Sequence, residues 1–283
     1  MTEPTKKVPR DPGSVTMLQR RLSQAASARG STAKRLQSLV GNVVLCQMLP
    51  ASAVKGGTGL KLRLGDSRTR ATPDLDTAFR GDHDEFEREL RSNLINGWGN
   101  FTGSVIRGPK RPPVGVPDSY VMQPLIVKLQ FHGKSFITID AEVGYDELEA
   151  TNEPPELELS PEVSGLFVEL GLPAPVPVPV LPLHHQISQK IHACTEPGNE
   201  RAHDLVDLQI ITPLADTKLA AATVERIFQF RAQHEWPARV TPTQNWSSLY
   251  ANAADGLDVL ATVEEALSWV NDEYIPSLIS ATE

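Results

Sequence analysis

The chain has 283 residues, 40% hydrophobic and 22% charged, enough to bury the core of one large or two small globular domains. Its two cysteines, Cys46 and Cys194, belong to no C-x-x-C pair, which argues against a disulfide scaffold or a cysteine zinc site. The net charge of −8 conceals an asymmetry: residues 1–140 carry 21 Lys+Arg against 12 Asp+Glu, while residues 141–283 carry 6 against 23. With no signal-peptide core and no run of about 18 uncharged apolar residues, the expectation is a cytoplasmic protein without membrane contact.

Residues 1–14 are polar and Pro-containing. Residues 15–48 read as two helices parted by Gly30. The first carries Met17, Leu18 and Leu22; the second, capped by Ser31 and Thr32, carries Leu36, Leu39, Val40, Val43, Val44 and Met48 at helical spacing. Residues 53–64 read as a strand edge, a Gly-Gly turn and an amphipathic segment, and Asp74-Leu75-Asp76 as a short strand. A helix follows at 84–95, with Phe86, Leu90 and Leu94 on one stripe. Two strands, 121–131 and 135–143, flank a turn at 132–134.

Residues 149–182 are acidic and then Pro-rich, and 174–182 must be extended. Helices are expected at 183–194, 200–211, 216–234 and 257–279, with a Trp-containing loop around Trp236 and Trp246 before the last. No internal repeat is present. The expected organisation is a helical region at 1–44, an α+β core at 45–150, a connector at 151–182 and a helical domain at 183–283.

Three separated segments carry chemistry. Lys55-Gly56-Gly57-Thr58 joins paired glycines, which let backbone amides approach a bulky anion, to an ammonium and a hydroxyl; it is not a Walker P-loop. Asp74 and Asp76 stand two apart, so a strand places both carboxylates on one face, where they repel unless a cation lies between them. Asp140 interrupts an apolar strand, Phe136-Ile137-Thr138-Ile139-Asp140, and a charge there needs a partner.

In this order, the segments resemble the nucleotidyltransferase superfamily, and more narrowly the AbiEii/AbiGii-type toxins that include the MenT group. The matching stretches are Lys55-Gly56-Gly57-Thr58-Gly59-Leu60, Arg70-Ala71-Thr72-Pro73-Asp74-Leu75-Asp76 and Ile137-Thr138-Ile139-Asp140. They continue in Gln189-Lys190-Ile191-His192-Ala193 and Arg201-Ala202-His203-Asp204-Leu205-Val206-Asp207-Leu208. The resemblance spans roughly residues 40–212. Gly59 stands where a small apolar residue is usual, and His203 where a lysine is frequent.

The resemblance implies a bilobal α+β fold, with a small mixed sheet and a helical C-terminal lobe. It implies that Asp74, Asp76 and Asp140 bind Mg²⁺ (or Mn²⁺), with Asp140 as ligand or as base for the attacking hydroxyl. Lys55, Gly56, Gly57 and Thr58, with Arg70 and Thr72, would hold the NTP, and Lys190 and Asp204 would complete the nucleotide pocket. The implied acceptor is RNA, at the tRNA 3′ end, with growth arrest as the consequence and a cognate antitoxin as partner.

Two other classes compete. His185, His192 and His203-Asp204 suggest a metal-dependent HD-type phosphohydrolase. The acidic C-terminal half, with Trp236, Trp246 and Trp269, suggests a non-catalytic interaction module. The basic residues between Lys6 and Arg35, with Arg63, Arg68, Arg70, Lys110 and Arg111, offer either an RNA-binding face or a solvated surface.

Overall fold

Side-chain caps fix where the first helices begin. Ser14 accepts a hydrogen bond from the Met17 amide and opens α1 (Val15–Ala28); Thr32 accepts from the Arg35 amide and opens α2 (Ala33–Cys46). The computed structural model describes residues 9–109, 122–154 and 156–282. Lys6, Lys7, Lys110, Arg111 and Val121, named above, lie outside the described residues. Among the described residues no helix is long and apolar enough to cross a membrane.

The chain divides into two compact units. The first takes in the residues up to Asp66, with Thr72–Tyr145 and Glu156–Val180; the second takes in Ser67–Ala71, Asp146–Pro155 and Leu181–Glu283. The fold is mixed α+β, as expected.

The first unit is built on a seven-stranded sheet. In chain order its strands are β1 (Ala53–Lys55), β2 (Leu75–Phe79), β3 (Phe101–Arg107), β4 (Gln123–Phe131), β5 (Lys134–Tyr145), β6 (Glu156–Glu158) and β7 (Val178–Val180). Their spatial order is β3-β4-β5-β2-β1-β7-β6. The β5–β2 and β1–β7 pairs are parallel and the others antiparallel. Helix α3 (Gly56–Leu64) follows β1 directly, so the Gly-Gly pair is a helix start rather than a free turn. Helix α4 (His83–Asn96) begins at an Asp82 cap and lies in the expected segment.

Strand alternation sorts the sheet into two faces. Leu125, Val127, Leu129, Ile139, Ala141, Val143 and Leu75 are buried in one core with Leu36, Val40 and Val44 of α2 and with Leu90 and Leu94 of α4. Packing is close there: a Cβ at Gly41 would stand 2.9 Å from Ile137 Cγ2, so α2 needs a glycine to lie on β5. The opposite face carries Asp76, Asp140 and Glu142, exposed or half-exposed.

Sequence patterning missed β3, whose run Phe101-Thr102-Gly103-Ser104 is broken by a glycine. In the sheet Gly103 admits the side chains of Leu94 and Leu129. Part of the expected connector also belongs to this unit. Residues 156–180 supply β6, helix α5 (Pro161–Leu170) and β7. The alternating Val178-Pro179-Val180 buries both valines, and its ladder to β1 is one registered pair, Val54 with Val180. A short ladder suits a strand in which proline has removed an N–H.

The second unit is helical: α6 (Leu183–Thr195), α7 (Ala202–Ile211), α8 (Thr217–Arg231), α9 (Trp246–Ala254), α10 (Val263–Ser268) and α11 (Ile275–Thr282). The helix expected at 257–279 starts later, at Val263, and then runs without a break through α10, a π-helical segment at Trp269–Tyr274 and α11. Leu260 is held instead by its backbone, its N–H donating to Gln209 and its carbonyl accepting from the Tyr250 hydroxyl. Thr262 and Glu265 then form a capping box that starts α10. Trp246, expected in an exposed loop, opens α9 and is 1% exposed, its indole N–H donating to the Asn199 carbonyl.

Candidate active site

At the β1–α3 junction, Gly56 has φ +62° and Gly57 begins the first helical turn. A side chain at Gly56 would overlap the Asp76 carboxylate, and a Cβ at Gly57 would stand 2.8 Å from Thr72 Cβ. The paired glycines therefore let the DxD segment lie against the start of α3. The N-cap residue, Lys55, makes no side-chain capping bond to this helix.

Thr58 is 1% exposed and faces inward. Its hydroxyl donates to the Asp74 carbonyl at 2.9 Å and accepts from Asn42 Nδ2 at 3.0 Å; Asn42 also donates to that carbonyl, at 3.2 Å. The threonine side chain thus anchors the approach to β2. Asn42 went unnoticed in the sequence because it lies inside the apolar stripe of α2.

Register aligns the charged groups. Lys55 of β1 is opposite Asp76 of β2, and Asp76 is opposite Glu142 of β5. Cross-strand partners share a sheet face, so these three form one row. Lys55 Nζ lies 3.1 Å from where a Cβ on Gly144 would stand, which puts the ammonium over β5 on that face. Asp140, two residues before Glu142, points to the same side, in register with Ile126 of β4. Asp74 is exposed and directly precedes β2. The sheet therefore brings Lys55, Asp76 and Asp140 to one face and adds Glu142, a carboxylate the sequence reading did not single out. Its signal was the i, i+2 pair Asp140-Ala141-Glu142 within a strand.

Carboxylate oxygens are the preferred ligands of Mg²⁺, but among the described residues no three carboxylates of this face bring ligand atoms within 4.8 Å of one another, so the row is not a closed cage.

The second unit holds a separate buried cluster. Lys190 of α6 donates to Asp204 Oδ1 at 2.8 Å and to Asp207 Oδ2 at 2.7 Å, both on α7. Arg201 Nε donates to Asp204 Oδ2 at 2.7 Å, and Arg70 Nε reaches Asp207 at 3.1 Å. Lys190 is 6% exposed and the two aspartates 0%. Three cations therefore gather around two carboxylates. Burial opposes the Lys190 ammonium, but Asp204 and Asp207 outweigh it and raise its pKa above the usual lysine value. Burial likewise opposes both carboxylates, and Lys190 with its arginine neighbours holds each well below the ordinary range. Asp207 joins Lys190 to Arg70, a part that the spacing alone did not assign.

The hydrolase alternative fails on geometry. Asp204 is occupied by Lys190 and Arg201, and His203 Nε2 is 3.8 Å from it. His192 is 1% exposed, its ring centroid 4.8 Å from that of Phe228, and its Nδ1 accepts from Arg231. Burial takes the His203 pKa down to about 4 and that of His192 to about 3, so both rings are neutral near pH 7.

The family model described as nucleotidyl transferase AbiEii toxin, type IV TA system, matches residues 42–267. The chain belongs to this family. It is a nucleotidyltransferase toxin of a type IV toxin–antitoxin system, a class defined with an antitoxin partner. The match runs well past the stretch of motifs, into α10.

Among solved structures, the MenT4 nucleotidyltransferase toxin of Mycobacterium tuberculosis H37Rv aligns with TM-score 0.53 at 17% identity, over 94% of this chain and 99% of that one. That likeness supports the MenT-like nucleotidyltransferase fold. JHP933 from Helicobacter pylori aligns at 16% identity and TM-score 0.42, over 86% of this chain and 88% of its own. A search of curated proteins gave no match.

Proposed function

We propose that this toxin transfers a nucleotide from an NTP to an RNA acceptor, the tRNA 3′ end, and so blocks translation. The observation that carries this reading is the Lys55–Asp76–Glu142 row beside an uncapped helix start that glycine opens to phosphate.

In this reading Lys55 and the amides of Gly56, Gly57 and Thr58 hold the triphosphate oxygens. Asp74, Asp76 and Asp140, with Glu142 beside them, hold Mg²⁺ or Mn²⁺. The ion, when bound, offsets charge on the phosphoryl oxygens and on the departing pyrophosphate. The acceptor hydroxyl attacks the α-phosphorus, one P–O bond forms, and the bond to pyrophosphate breaks. Asp140 takes the hydroxyl proton on its carboxylate. Thr72 and Thr58 position the DxD segment. Lys190, Arg70 and Asp204 are assigned to the nucleotide.

The test is incubation of the purified chain with total RNA and each labelled NTP in turn, with and without a divalent ion. Ion-dependent label on tRNA-sized RNA supports the proposal; label on protein alone, or release of nucleoside monophosphate without RNA labelling, contradicts it.

A further inference from the structure

Helix α6 opens with two adjacent histidines whose rings turn the same way. His184 and His185 are 7% and 2% exposed, their ring centroids 4.3 Å apart. Both direct Nε2 at the Glu153 carboxylate, His185 at 2.9 Å and His184 at 3.3 Å. Glu153 comes from the segment before β6 that belongs to the same helical unit. One ligand atom from each residue lies within 4.8 Å of the other two. No other such group of His, Cys, Asp or Glu occurs among the described residues.

A hydrogen-bonded triplet needs both imidazoles to carry their proton on Nε2 so that each donates to one carboxylate. A cation between the three instead uses both nitrogen lone pairs and the carboxylate charge. The donors are two imidazole nitrogens and one carboxylate oxygen. That set favours borderline transition ions such as Zn²⁺ over Mg²⁺, and three protein ligands leave a fourth position for water. Ligands to Zn²⁺ stand about 2.0–2.2 Å from the ion, so the present separations close around it with small side-chain rotations.

We propose that Glu153, His184 and His185 form a zinc-class site, distinct in residues and in metal preference from the carboxylate row of the sheet. An ion there clips residues 146–155 to the first turn of α6, the helix that carries Lys190. The inference does not depend on the proposed acceptor or nucleotide.

The test uses the full chain, stripped with chelator and titrated with Co²⁺ as an optical stand-in, then with competing Zn²⁺. The expected result is one tightly bound ion with visible d–d absorption, displaced by Zn²⁺, and a higher Tm with Zn²⁺. Affinity should fall at least about tenfold in Glu153→Gln and in His185→Ala, and persist in Asp76→Ala. Glu153 is part-exposed, so Glu153→Gln decides the matter should His185→Ala fold poorly. Absence of micromolar Co²⁺ or Zn²⁺ binding, binding unchanged in Glu153→Gln, or binding lost in Asp76→Ala overturns the proposal.

Discussion

Gly56 carries two constraints at one position. Its φ of +62° costs an L-residue about 1–2 kcal/mol, and its missing Cβ leaves the space that the Asp76 carboxylate occupies. Gly56→Ala should therefore lower stability by about that amount in urea unfolding, yet reduce nucleotide transfer far more, because it displaces the carboxylate proposed to hold the ion. Equal small losses in both would assign the glycine to backbone conformation alone. His192 gives a second residue-scale prediction. An unfolded imidazole takes its proton near pH 6.5, whereas the buried ring does so only at about 3. Between those values the unfolded chain binds more protons, so stability is complete above about pH 6.5 and falls as pH drops. His192→Phe, which keeps an aromatic against Phe228, should flatten the change in urea midpoint between pH 7 and pH 5.

At the scale of elements, buried ion pairs hold helix ends in place. Lys61 near the end of α3 is 2% exposed and donates to Asp66, which also accepts from Arg35 of α2 at 2.8 Å. Asp66→Ala removes the carboxylate that Lys61 and Arg35 share, and should cost up to about 3–5 kcal/mol in denaturant unfolding. Asp207→Ala removes one of the two carboxylates around Lys190, leaving Asp204, and also the carboxylate that Arg70 reaches, so the expected loss is smaller. Loss below about 1 kcal/mol in either would mean that the freed cation reaches water.

The elements also show what the sequence made legible. α1, α2, α4 and the β4–β5 hairpin followed from caps and from periods of 3.6 and 2. β7 did not, because Val178-Pro179-Val180 reads as polyproline until β1 and β6 flank it. The helix expected at 257–279 was set to begin six residues too early, because the Thr262–Glu265 capping box was passed over and Leu260 is claimed by Gln209 and Tyr250. For the candidate site, Asp76 was visible as half of the Asp74-Leu75-Asp76 pair and Asp140 as a charge in an apolar strand. Glu142 was available as the i, i+2 partner of Asp140 but was passed over, and the Asp207 link to Lys190 depends on helix–helix packing, which no single segment reveals.

For the whole molecule, the basic excess of residues 1–140 is smaller in effect than its count. Arg29, Arg35 and Arg63 are paired with Glu169, Asp66 and the Glu156–Glu158 strand, and Arg70 with Asp207. The phosphate contacts of an RNA acceptor would then fall to exposed cations such as Arg10, Arg20 and Lys34. Replacing these three with Gln should weaken RNA binding at low salt and flatten its salt dependence, without changing the metal requirement. The central claim, that the carboxylate row performs the transfer, is tested most directly by comparing wild-type chain and Asp76→Asn for incorporation of labelled NTP into total tRNA with Mg²⁺ present. The account predicts label in the wild type and at least a hundredfold loss in a variant that keeps its circular dichroism and Tm. Undiminished labelling by folded Asp76→Asn would contradict it.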